Sequence, residues 1–141
     1  MPQVYHHRFT VPQEAIDEND HVNNVVYVQW MQDIAILHSE AQNCNADLYK
    51  KLGTCWVARS HYIEYHSPAF AGDQIDAITW ISDLKRSSSL RKYKFVRTSD
   101  QKVLARAETR WVYVNEKTGR PCTIHDEVIN AFEIFPSDGE A

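Results

Sequence analysis

Several devices for holding a fold or a ligand are scarce in these 141 residues. Three cysteines, Cys44, Cys55 and Cys122, make an odd count with no Cys-x-x-Cys pair. That argues against a disulfide framework and leaves all three as packing residues, which suits a reducing, cytoplasmic setting. Glycine is also sparse, at four residues, and none builds a phosphate-binding loop. Neither a Gly-x-Ser-x-Gly elbow nor a His-Glu-x-x-His helix is present. The seven histidines do not fall at metal-ligand spacing, so no metal is expected. A net charge of -4 lacks the basic excess that a nucleic-acid partner requires. A mean hydropathy of -0.50 and short apolar runs leave no membrane span. Met1 to Arg8 lacks the apolar stretch of a signal peptide.

What remains is an ordinary globular composition, 43% hydrophobic, enough for a core in one domain covering residues 1–141. Four tryptophans and seven tyrosines are generous for this size and suit a lined pocket or an interface.

In chain order, Gln3 to Val11 reads as a strand closed by Pro12. From about Asn24 to Gln42, Tyr27, Trp30, Met31, Ile34, Leu37, His38 and Ala41 recur at helical spacing. Val25, Val26, Val28, Ala35 and Ile36 lie between them, which predicts a central helix buried on several sides. Asn43 to Thr54 is polar and reads as irregular. Four strand candidates follow, Trp56 to His66, Asp73 to Leu84, Leu90 to Thr98 and Lys102 to Asn115. The last places Val103, Ala105, Ala107, Thr109, Trp111 and Tyr113 on one face, and Arg106, Glu108 and Arg110 on the other. Such alternation predicts an antiparallel sheet with one packed and one wet face. Asp126 to Phe132 reads as a short final helix. The layout is α+β, an antiparallel sheet wrapped around one long central helix.

The chemistry concentrates in Asp17-Glu18-Asn19-Asp20-His21-Val22-Asn23-Asn24, immediately before that helix. The first N–H groups of a helix lack intrahelical partners, and the macrodipole adds about half a positive charge there. An oxyanion held on such donors is stabilised by about 3 kcal/mol per donor. Asp17, just upstream, is placed to act on a carbonyl there as general base or nucleophile, with Asn19 and His21 assisting and the amides of Asn24 and Val25 as donors. The same residues also make a good helix cap: asparagine favours that position, and acids before a helix suit its dipole. Spacing leaves both readings open.

The run Asp17-x-x-x-His21-Val22-Asn23-Asn24-x-x-Tyr27, followed by Trp30, resembles the hotdog-fold thioesterases of the 4-hydroxybenzoyl-CoA thioesterase-like group. Ser67-Pro68-Ala69-x-x-Gly72-Asp73, Ser87-Ser88-Ser89 and Thr118-Gly119-Arg120-Pro121 resemble later turns and loops of that family, in the same order. The Asp17-x-Asn19-x-His21 form is similar to plant acyl-carrier-protein thioesterases. Many members carry glycine where this chain has Asp20, which is expected to face solvent.

The resemblance implies hydrolysis of an acyl-CoA or acyl-carrier-protein thioester, with coenzyme A as part of the substrate and no other cofactor. It implies Asp17 as base or nucleophile, the helix-start amides as oxyanion donors, and a homodimer or homotetramer joined through the sheet edge with sites between subunits. Lys85 and Arg86, with Ser87 and Ser88, would meet the coenzyme A phosphates as part of a basic cluster that includes Arg91, Lys92 and Lys94. Arg59 is a candidate for phosphate or for an ion pair. Tyr27, Trp30, Met31, Trp56 and Tyr62 are candidates for an acyl pocket. Two further readings are a hydratase or dehydratase of acyl thioesters, for which His38 and Glu40 lie too far along the helix, and a binder without catalysis.

Overall fold

The computed structural model describes residues 4–135. Five strands, β1 (Val4–Thr10), β2 (Thr54–Tyr65), β3 (Gln74–Leu84), β4 (Ser88–Arg97) and β5 (Lys102–Asn115), form one antiparallel sheet in the order β1-β3-β4-β5-β2. The long helix α1 (Asn24–Ala41) lies across one face. The expected strands and central helix are present to within a few residues. Gln3, where the first strand was expected to begin, lies outside the described residues.

Asn43 to Thr54 departs from expectation. Its middle is a helix, α2 (Ala46–Leu52), whose N-cap Asn45 accepts the Leu48 N–H at 3.0 Å. Gly53 ends it with φ +71°, the left-handed conformation that closes helices at little cost only for glycine. Seven residues are too few for the periodicity that exposes a helix in a sequence. The last helix, α3, is also shorter than expected, spanning Asp126–Ile129.

Burial on α1 follows one stripe, Tyr27, Met31, Ile34, Ala35 and His38, instead of several sides. Within the chain α1 has sheet on one side only, so Val25 (73% exposed) and Ile36 (58% exposed) stay open. The stripe packs on Ile75, Ala77, Tyr93, Phe95, Ala105 and Ala107, the inner face of β3, β4 and β5. A second cluster, Cys44, Tyr113, Ile124 and Val128, sits with Leu48, Tyr49 and Trp56 around α2 and α3.

The face assignments hold along most of β5 but fail at Val103. Phe95 pairs with Ala105 and Val96 with Val103, leaving Leu104 as a bulge residue without a partner on β4. The extra residue turns Val103 outward onto Ile78, Trp80 and Val96, and Leu104 enters the core instead. The outer face is likewise not uniformly wet: Ile78 and Trp80 are buried there, with Phe135 packed on Trp80 at 6.0 Å between ring centroids.

Candidate active site

The polar stretch is a tight, self-bonded loop. Ile16 and Val22 form an antiparallel bridge, and the Asp17 N–H donates to the His21 carbonyl at 3.0 Å. The Asp20 N–H closes the turn onto the Asp17 carbonyl at 3.1 Å. Asp20 is exposed with φ +67°, a conformation glycine adopts freely and aspartate tolerates. The half-buried Asp17 carboxylate accepts the Asn19 N–H at 2.8 Å, so Asn19 orients it through its backbone. Val22 N–H to Ala69 O (2.8 Å) and Asn23 N–H to Ala15 O (3.0 Å) fasten the loop to the domain.

Asn23 is the N-cap, and its Oδ1 accepts the Val25 N–H at 2.9 Å. One of the two expected oxyanion donors is therefore occupied by the cap. The Asn24 N–H has no protein acceptor among the described residues. His21 and Asn24 share a cleft of about 270 Å³ with Tyr27, Tyr65, His66, Ser67 and Pro68. Tyr65 donates its hydroxyl to the Asn24 carbonyl at 2.9 Å. Burial, then the neighbouring Tyr65, pushes the Tyr27 hydroxyl up to about 12. Tyr65, His66 and Ser67 were not anticipated from sequence. Their positions follow from the Leu104 bulge, whose carbonyl accepts the N–H groups of His66 (2.8 Å) and Ser67 (3.2 Å) and turns the chain at the end of β2.

A second cavity, of about 600 Å³, opens toward the other end of α1, between that helix, α2, β2 and the sheet. Trp56 lines it and donates its indole N–H to the Tyr49 hydroxyl at 3.1 Å. Of the other acyl-pocket candidates, Tyr27 borders the smaller cleft. Met31 is 0% exposed in the core, and Trp30 packs edge-on against Phe9 and Tyr27; neither lines either of these two cavities. Tyr62 is 59% exposed on the edge strand and donates to Glu64 at 3.2 Å. Arg59 is exposed at a bulge in β2, between the pairs Ala58–Trp111 and Ser60–Arg110.

The basic cluster divides. Lys85 and Arg86 are exposed in the loop before β4, where Arg86 Nε donates to Thr123 Oγ1 at 3.1 Å. Ser87 lends its carbonyl to the Tyr113 N–H, and Ser88 starts β4 opposite Val112. Arg91 is buried against α1, away from the Lys85–Ser88 loop, because alternation turns it inward. Within one chain the Lys85–Ser88 loop and the Asp17 loop sit at opposite ends of β3, roughly 30 Å apart for a strand of this length. His38, the histidine a dehydratase would use, is 1% exposed, accepts from Arg91 at 2.9 Å and stacks on Tyr5.

The family model described as the thioesterase-like superfamily matches residues 11–132. An oleoyl-acyl carrier protein thioesterase of Arabidopsis thaliana is 25% identical over 138 residues; the match takes in 93% of this chain but spans only 38% of that protein. Among solved structures, a 1,4-dihydroxy-2-naphthoyl-CoA thioesterase from Synechocystis superposes with a TM-score of 0.84 at 15% identity, over 91% of this chain and 94% of its own. A 12:0-ACP thioesterase from Umbellularia californica gives 0.82 at 17% identity, over 98% of this chain and 54% of its own. With its sheet, its long helix and nearly its whole length matched, this chain belongs to the thioesterase-like superfamily and has the hotdog fold.

Proposed function

We propose that the protein hydrolyses an acyl thioester, with coenzyme A or an acyl carrier protein as the thiol, at the N-terminus of α1. The observations that carry this reading are an oriented carboxylate on the loop that leads into α1 and an open amide at the start of that helix. Asp17 is held by the Asn19 N–H, and the Asn24 N–H is left free beside a cleft. The thioester oxygen sits on that amide and on the positive end of the helix. Asp17 removes a proton from water as the water attacks the carbonyl carbon, or attacks it directly to give an anhydride that water then opens. The C–S bond breaks, the thiolate takes up a proton, and the products are a free acid and a thiol.

The site needs two chains. β2 is an edge strand of twelve residues with Val57, Tyr62 and Tyr65 each more than 40% exposed, an unpaired ladder suited to a second copy. Antiparallel pairing of two β2 strands about a two-fold axis near Arg59 sets the Tyr65 end of one beside the Thr54 end of the other. The β4–β5–β2 register puts Ser88, Val112 and Val57 in one row. The Asp17 loop of one chain thereby approaches the large cavity and the Lys85–Ser88 loop of the other. Lys85 and Arg86 then lie where the phosphates of coenzyme A emerge. A dimer of this kind covers the β2 edge, and the exposed Val25 and Ile36 leave an apolar face for a tetramer.

A panel of acyl-CoA and acyl-carrier thioesters with thiol detection tests the reaction. Release of free thiol, dependent on enzyme, is the expected result. An isomerised or hydrated thioester without thiol release, or no turnover on any member, contradicts it.

A further inference from the structure

The large cavity has apolar walls from Ala35, Trp56, Trp111 and Phe132, yet a guanidinium lines it. Arg91 is 5% exposed. Its Nη1 donates to His38 Nδ1 at 2.9 Å and to Thr79 Oγ1 at 3.1 Å, and both acceptors are neutral or weakly basic groups. Nε and Nη2 have no protein acceptor among the described residues. Glu40 is the single carboxylate on the cavity lining; it is exposed and forms no ion pair with Arg91. Burial draws the Arg91 guanidinium below its ordinary value, and the groups opposing that are the hydroxyls of Tyr93 and Tyr49, not a carboxylate.

Arginine cannot escape this burial by losing its proton at ordinary pH. An ion taken out of water without a counter-charge costs several kcal/mol even after relaxation. A hydrophobic residue would fill the same position on β4 without that cost. The two free donors point to what offsets it: the planar fork matches a carboxylate in bidentate fashion. A cavity of about 600 Å³ is of a size that takes a small-molecule group.

We propose that this cavity receives an acyl group whose far end carries a carboxylate, seated on Arg91. The substrate class is then the mono-thioester of a dicarboxylic acid, with the thioester end at the Asp17 loop. Arg91 is a specificity residue that touches substrate far from the reacting carbon. Trp56 and Trp111 line the cavity that holds the intervening methylenes. The proposal rests on the thioesterase reading for the identity of the other end, but the anion seat stands or falls separately.

Two measurements separate the two claims. Binding by calorimetry is compared for monomethyl octanedioate, which has one free carboxylate, and dimethyl octanedioate, which has none. The wild-type protein is expected to bind the mono-acid about tenfold or more tighter, and Arg91→Gln to lose that difference, as loss of a charged hydrogen-bond pair requires. Turnover is compared for octanedioyl-CoA mono-thioester and octanoyl-CoA, with a wild-type kcat/KM preference of about tenfold or more for the former. Equal binding of the two esters by wild type, or a difference that survives in Arg91→Gln, overturns the proposal. Tight mono-acid binding through Arg91 with no thioester cleaved leaves the seat standing and removes the hydrolase reading. Should Arg91→Gln fail to fold, Arg91→Lys keeps the charge but not the fork and is expected to retain part of the preference. The wild-type comparisons decide without any variant.

Discussion

The Tyr65 hydroxyl donates to the Asn24 carbonyl at 2.9 Å, joining the last residue of the edge strand to the first residue of the central helix. The two sit at the border of the cleft that also holds His21 and His66. The bond holds the open Asn24 amide in a set relation to β2, and hence to any chain paired on that edge. Tyr65→Phe keeps the ring packing on Tyr27 and removes only the donor. The expected result is a stability loss of about 1 kcal/mol in urea titration, with kcat down about tenfold as the oxyanion donor drifts. Full turnover in a normally folded variant would remove Tyr65 from the account.

The N-cap makes a separate prediction. Asn23 Oδ1 holds the Val25 N–H. Asn23→Ala is expected to cost about 1 kcal/mol of stability, within the range for lost caps, measured as a shift in the urea midpoint at unchanged slope.

Association is tested on the edge strand. Val57→Lys introduces a charge on an exposed edge position. Sedimentation is expected to show the wild-type chain as a dimer or larger and the variant as a monomer, with turnover falling together with the dimer. A monomeric variant with full activity would show that one chain carries the whole site.

Alkaline stability follows from Tyr27. Its hydroxyl is pushed up to about 12 by burial and by Tyr65, against about 10 in the unfolded chain. The raised group contributes stability that is intact below pH 10 and is lost as pH rises from about 10 to about 12, because the unfolded chain ionises first. The loss attributable to Tyr27 is on the order of 2–3 kcal/mol. Urea melts at pH 8 and pH 11.5 should converge in Tyr27→Phe relative to wild type, incompletely, since burial also raises Tyr93 and Tyr49.

Much of this molecule was legible as pattern. The period of Tyr27, Met31, Ile34 and His38 marks the buried stripe of α1, and the alternation from Ala105 to Tyr113 marks the inner face of β5. The helix start was legible because Asn23 is a capping residue followed by an apolar run. The Leu104 bulge was not, since one extra residue in a strand leaves no mark on composition, and it reversed Val103. The same bulge brings His66 and Ser67 to the cleft, which no local motif announces. Arg91 was grouped with its sequence neighbours Lys92 and Lys94; only the parity of β4 separates the inward arginine from its outward-facing neighbours. Within one chain the Asp17 loop and the Lys85–Ser88 loop lie at opposite ends of β3, so a pattern read along the sequence does not bring them together.

In the proposed hydrolysis the Asp17 carboxylate performs the chemistry and does more than cap a turn. The direct measurement is single-turnover and steady-state hydrolysis by Asp17→Asn on the best thioester of the panel. Asparagine keeps an oxygen for the Asn19 N–H and so preserves the loop, which a matching urea midpoint verifies. The expected result is a fall in kcat of about a hundredfold or more with dimerisation and substrate binding retained. A folded Asp17→Asn dimer that keeps most of the wild-type turnover would contradict it.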